Sequence, residues 1–148
     1  MSASVEFRSA AFPKYPNEDA ELVNANLWGK RLAEFIRDHL PEQGIATLDI
    51  LCEDWGWLVQ VKNDDFPLWI GCGVMDGPDS DDEDGVSSQH GSAGDGITEF
   101  RVFVEAEPGL VQRWLKRVDT KPAILRVLDG LRRMISSSPD IHDVKWAE

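Results

Sequence analysis

From residue 45 onward, apolar positions recur every second residue. Ala46, Leu48, Ile50 and Cys52 share one side of a first segment, with Thr47 and Asp49 opposite. Trp57, Val59 and Val61 repeat the pattern in a second, against Gln60 and Lys62. Leu68, Ile70, Cys72 and Val74 do so in a third, where Trp69 points the other way. After an acidic stretch, Phe100, Val102, Val104 and Ala106 form a fourth run against Glu99, Arg101 and Glu105. Such alternation predicts antiparallel strands with one covered face and one partly wet face.

Ahead of the strands the period changes. Trp28, Leu32, Phe35, Ile36 and Leu40 fall at helical spacing, with Asn24 or Asn26 as the capping residue and Pro41 and Gly44 ending the helix. Two more helices are predicted after the fourth strand. Pro108 opens one with Leu110, Val111, Trp114, Leu115 and Val118 on its apolar face; Asp119 or Thr120 caps the next, which carries Pro122, Ile124, Val127, Leu128, Leu131 and Ile135. Residues 136–140, SSSPD, break the chain, and Ile141 to Trp146 fit a short terminal strand. Residues 1–21 hold Pro13 and Pro16 and read as an extended arm, in which Val5 and Phe7 could add an edge strand. The expected fold is α+β. An antiparallel sheet of four to five strands (meander 45–74 plus strand 97–106) carries an N-terminal helix and two C-terminal helices on one face. The whole chain, 1–148, is read as one domain with the arm 1–21 and a flexible acidic loop 75–96.

The link CEDWGW, Cys52 to Trp57, raises the question of a catalytic acid pair under an aromatic lid. Parity argues for a turn instead. For both strands to share a core face, Glu53-Asp54-Trp55-Gly56 must place Cys52 opposite Trp57, Ile50 opposite Val59, and Leu48 opposite Val61. Across KNDDFP the same logic pairs Val61 with Leu68, Val59 with Ile70, and Trp57 with Cys72. The two cysteines then stand two strands apart, about 9–10 Å between backbones, beyond the roughly 7 Å limit for a disulfide. Two reduced, buried thiols are expected. Adjacent turn acids splay apart, so Glu53 and Asp54 do not converge on a substrate atom.

Charge narrows the function classes. The net charge is −12, and residues 75–96 hold seven acids with no Lys or Arg. Such a field repels phosphate, so neither nucleic acid nor an anionic membrane is expected, whereas a basic protein partner would suit it. No apolar run spans a membrane, and the N-terminus lacks a secretory pattern. Two cysteines make no disulfide framework and point to the reducing cytoplasm.

Candidate chemistry is sparse. Gly71-Cys72-Gly73 could frame a nucleophile, but parity buries Cys72 away from any thiolate-stabilising neighbour. His39, His90 and His142 are scattered, and no zinc, phosphate-loop or nucleophile-elbow motif occurs. Aligning Ser80, Asp82, Asp84 and Gly85 with a calcium loop leaves Gly91 where the bidentate Glu belongs. The basic residues Arg113, Lys116, Arg117, Lys121, Arg126, Arg132 and Arg133 read as a solvated helix face. No catalytic residue, metal or cofactor is assigned.

One surface stands out. Leu51, Leu58, Trp69 and Phe103 fall opposite the helix-covered face, and Trp55 in the turn can join them. An apolar patch in a charged rim is covered by the arm, by a second copy in a homodimer, or by another protein. The leading expectation is a non-enzymatic, cytoplasmic protein-binding module, inhibitor- or immunity-like or chaperone-like, using Leu58, Trp69, Phe103 and Trp55. The alternative is a small hydrolase-like enzyme with Glu53, Asp54, Asp76 and Cys72 around a pocket at the sheet end. A third reading has Trp55 and Trp69 stacking a flat ligand.

Overall fold

The computed structural model describes residues 3–23, 27–75, 97–107 and 119–147. Six strands build a single antiparallel sheet: β1 (Ala3–Ser9), β2 (Thr47–Glu53), β3 (Gly56–Val61), β4 (Leu68–Val74), β5 (Thr98–Ala106) and β6 (His142–Ala147), in the order β2-β3-β4-β5-β1-β6. Two α-helices are described, α1 (Lys30–His39) and α2 (Lys121–Ser136). The alternation read from the sequence becomes the core. Val5, Phe7, Trp57, Val59, Val61, Leu68, Ile70, Cys72, Phe100, Val102 and Val104 are buried beneath Leu32, Ala33 and Ile36 of α1 and Val127, Leu128 and Leu131 of α2. At roughly 1.5–3 kcal/mol per fully buried apolar side chain, this layer supplies most of the drive to fold.

The expected architecture needs two corrections. The sheet has six strands, not four to five, because the arm is not an arm at its start. Residues 3–9 form β1, which pairs with β5 on one side and β6 on the other and so sits inside the sheet. Helices number two among the described residues, one mid-chain and one C-terminal, in place of an N-terminal helix and two C-terminal ones. The segment expected to form the first C-terminal helix, 108–118, lies outside the described residues, as does the acidic stretch 76–96.

The register is as parity requires at most rungs. Cys52 pairs with Trp57, Ile50 with Val59, Trp57 with Cys72, Val59 with Ile70, and Val61 with Leu68. The connection is tighter than expected, since Glu53 pairs with Gly56 and leaves Asp54 and Trp55 as a two-residue turn. Gly56 has φ 145°, and a Cβ there would stand 2.8 Å from the Cys72 carbonyl oxygen, so only glycine closes this hairpin against β4. One rung fails. An irregularity between Thr47 and Ile50 pairs Val61 with Thr47, not Leu48, and turns Leu48 out to 50% exposure.

Helix α1 starts later than its apolar spacing suggested. Trp28 is not in it: the Trp28 carbonyl accepts from Val74 N–H at 3.1 Å, which commits that backbone to the end of β4. Gly29, at φ 154°, then turns the chain into the helix. Asn24 and Asn26 lie outside the described residues, and the capping acceptor comes from elsewhere. The fully buried Glu18 carboxylate accepts through Oε2 from Gly29 N–H at 2.9 Å, Lys30 N–H at 3.0 Å and Trp57 Nε1–H at 3.1 Å, and through Oε1 from Tyr15 N–H at 3.2 Å. One side chain thus ties the N-terminal segment, the α1 N-terminus and the core of β3 together. At α2, Asp119 Oδ1 accepts from Lys121 N–H at 3.1 Å, and Thr120 makes no side-chain cap bond.

Candidate interaction surface

With both helices on one side, the opposite sheet face is built from the remaining parity. One cross-strand row runs Leu51, Leu58, Gly71, Phe103, Ser4, Ala147, a registered line across all six strands. Gly71 lacks a side chain, and the Phe103 ring occupies that space: a Cβ on Gly71 would sit 2.3 Å from Phe103 Cζ. The adjacent row brings Trp69 beside Gln60 and Glu105. Trp55 leans in from the turn. Its ring stacks on Trp69 with centroids 5.4 Å apart and planes 23° apart, and lies 5.3 Å from Phe103; Trp69 and Phe103 meet edge-on at 5.8 Å. Three aromatic rings form one cluster, each half-buried by the others.

The structure therefore brings together Trp55, Trp69 and Phe103, with Leu58 in the neighbouring row. Leu48 and Leu51, 50% and 43% exposed, extend the patch toward the β2 edge. Leu48, Leu51, Leu58 and Trp69 line a shallow hollow of about 590 Å³ whose walls include Lys62, Asp64, Asp65 and Glu107. Glu105, paired with Trp69 across the strands, adds a fourth acid, against Lys62 and Arg101. The Arg101 guanidinium lies 5.4 Å from the Phe103 ring centre. Trp55 and Trp69 stack on each other, so a flat ligand does not fit between them.

Among the described residues, Glu53 and Asp54 of the hydrolase-like alternative do not line the hollow that Cys72 lines. That hollow, of about 300 Å³ at the sheet end, is lined by Trp55, Cys72, Gly73, Val74, Met75, Arg101 and Phe103. Asp76 lies outside the described residues. Cys72 is 1% exposed, and burial pushes its thiol far up, with the nearby Glu18 charge adding to the shift. Cys52 is half-buried, not buried as expected, and burial raises its thiol too. Both cysteines are free. Unfolded, Cys72 loses its proton near the ordinary thiol value of about 8.5. Its contribution to stability is therefore complete below that pH and falls as pH rises above it, by up to about 1.4 kcal/mol per pH unit. Urea midpoints between about pH 8 and about pH 10 should fall more steeply for the native chain than for Cys72→Ala. Equal slopes would mean a thiol in contact with water.

Among the described residues, no three His, Cys, Asp or Glu side chains converge to hold a metal ion. No described helix is long and apolar enough to cross a membrane. One contributor to the site had no sequence signal of its own: Leu48, which the strand irregularity turns outward. Parity does place Gly71 on this face, as a gap that a bulky side chain can fill, and Phe103 fills it. No protein-family model, curated protein or solved structure matches the chain.

Proposed function

We propose that this chain is a non-enzymatic protein-binding module that docks a basic protein on its outer sheet face, in the manner of an inhibitor or a chaperone. The observation that carries the reading is the cluster of Trp55, Trp69 and Phe103 beside Leu48, Leu51 and Leu58, bordered by Asp64, Asp65, Glu105 and Glu107 against Lys62 and Arg101. Aromatic anchors within a charged rim are the anatomy of a recognition surface, and a rim of one prevailing sign selects an oppositely charged partner. A second copy of the chain would bring the same acids against each other, so the partner is a different molecule. Free thiols and the acidic surface suit a cytoplasmic setting.

The test is capture from native extract by the immobilised chain, run beside the charge-reversed variant Asp64→Lys/Glu107→Lys. The expected result is one basic protein retained at about one to one, with retention reduced about tenfold in the variant and by added salt. Equal retention by both chains, or none by either, would contradict the reading.

A further inference from the structure

A second concavity lies in the helical layer and shares no residue with the outer sheet face. It is a cleft of about 430 Å³ between the C-terminal ends of α1 and α2, closed by the Leu40–Gln43 turn and by the chain that enters β6. That volume falls in the range of small-molecule sites, roughly 300–1,000 Å³. Phe12, Phe35, Met134 and Ile141 give it an apolar lining. The Phe12 and Phe35 rings stand 5.0 Å apart, and Phe35 is stacked on His39 at 4.3 Å.

The polar groups of the wall divide into two sets. One set is already engaged. Ser137 Oγ donates to the Arg133 and Met134 carbonyls, and Ser138 Oγ donates to Met134 O at 2.8 Å. Gln43 accepts from Arg133 through both its side-chain and backbone oxygens. His39 Nδ1 lies 2.9 Å from the Phe35 carbonyl, which can only accept, so this nitrogen carries the proton. The other set is open. The carboxylates of Glu42 and Asp140 make no ion pair or hydrogen bond with any described residue, and His39 keeps Nε2. Among the described residues, no Lys or Arg lines the cleft. Arg133 reaches the wall only at Gln43, and its guanidinium also pairs with Asp129. The wall thus offers an apolar floor and two carboxylates without a partner among the described residues, which favour a positive charge.

We propose that this cleft binds a small organic ammonium ion with an aromatic or aliphatic body. The body lies against Phe12, Phe35 and Met134, and the ammonium group donates to Glu42 and Asp140. Met134 suits such a floor because its unbranched thioether repacks around an incoming group. Nothing in this assignment depends on the outer face.

The probe is 2-phenylethylamine, read by the methyl resonances of the protein labelled at its methionines. Met134 lines the cleft, and Met75 lies at the far end of β4 as an internal control. The expected result is a saturating shift of the Met134 resonance alone, at roughly millimolar affinity or tighter. The neutral analogue 2-phenylethanol should bind about tenfold more weakly, and 3-phenylpropanoate should not saturate. Glu42→Gln and Asp140→Asn, which preserve shape, should each weaken the amine about three- to fivefold. A flat titration, equal shifts with the carboxylate analogue, or unchanged affinity in the double variant would overturn the assignment.

Discussion

Replacing Glu18 with alanine is expected to cost about 3–5 kcal/mol of stability, the largest effect of any single substitution in the N-terminal segment. The carboxylate is fully buried and accepts four N–H groups, from Tyr15, Gly29, Lys30 and the Trp57 indole. Alanine leaves the buried Gly29 and Trp57 donors without an acceptor, at about 1–3 kcal/mol each. It also removes the negative charge from the first turn of α1, worth up to about 1 kcal/mol more. Lys30 cannot substitute for the lost group, because an ammonium only donates, and it pairs with Glu21 at 2.7 Å. Urea unfolding should show a lower midpoint at unchanged slope. Glu18→Gln, which keeps one acceptor oxygen, should lose less than half as much. A change below about 1 kcal/mol in the alanine variant would mean that the carboxylate is not buried in solution.

Trp69→Ala is expected to weaken partner binding by about 2 kcal/mol or more, roughly thirtyfold, while lowering stability by about 1–2 kcal/mol. The asymmetry follows from position. Among the described aromatic rings Trp69 touches Trp55 and Phe103, and it is half-buried, so folding uses part of its surface and leaves the rest for contact. Calorimetric titration of the captured partner against the folded variant measures the first number, and urea unfolding the second. Equal losses in both would assign Trp69 to the fold alone.

Much of this sheet could be read from the chain because strand parity is a local rule with few exceptions. Cys52, Trp57 and Cys72 share a rung, and Trp69 and Phe103 share the outer face, as alternation alone requires. Where the reading failed, the cause was non-local. Alternation marked Val5 and Phe7 as strand residues but could not say that β5, far along the chain, would pair with one side and β6 with the other. The irregularity at residues 47–50 breaks parity without altering composition, so Leu48 was placed in the core and is found outside. Glu18 was invisible for a different reason. An acid among polar residues reads as solvated, and only the arrival of Gly29, Lys30 and Trp57 around it reveals a buried cap. Trp28 obeyed helical spacing yet serves the sheet, since its carbonyl is taken by Val74.

The outer face is tested most directly by oxidative footprinting of the chain alone and with its captured partner. If the contact lies there, Trp55, Trp69 and Phe103 react in the free chain and are protected in the complex, while buried Trp57 stays unreactive and half-buried Trp146, beside Arg132 of α2, is unchanged. Protection at Trp146 and the exposed Leu125 of α2, with Trp69 equally reactive in both states, would contradict it.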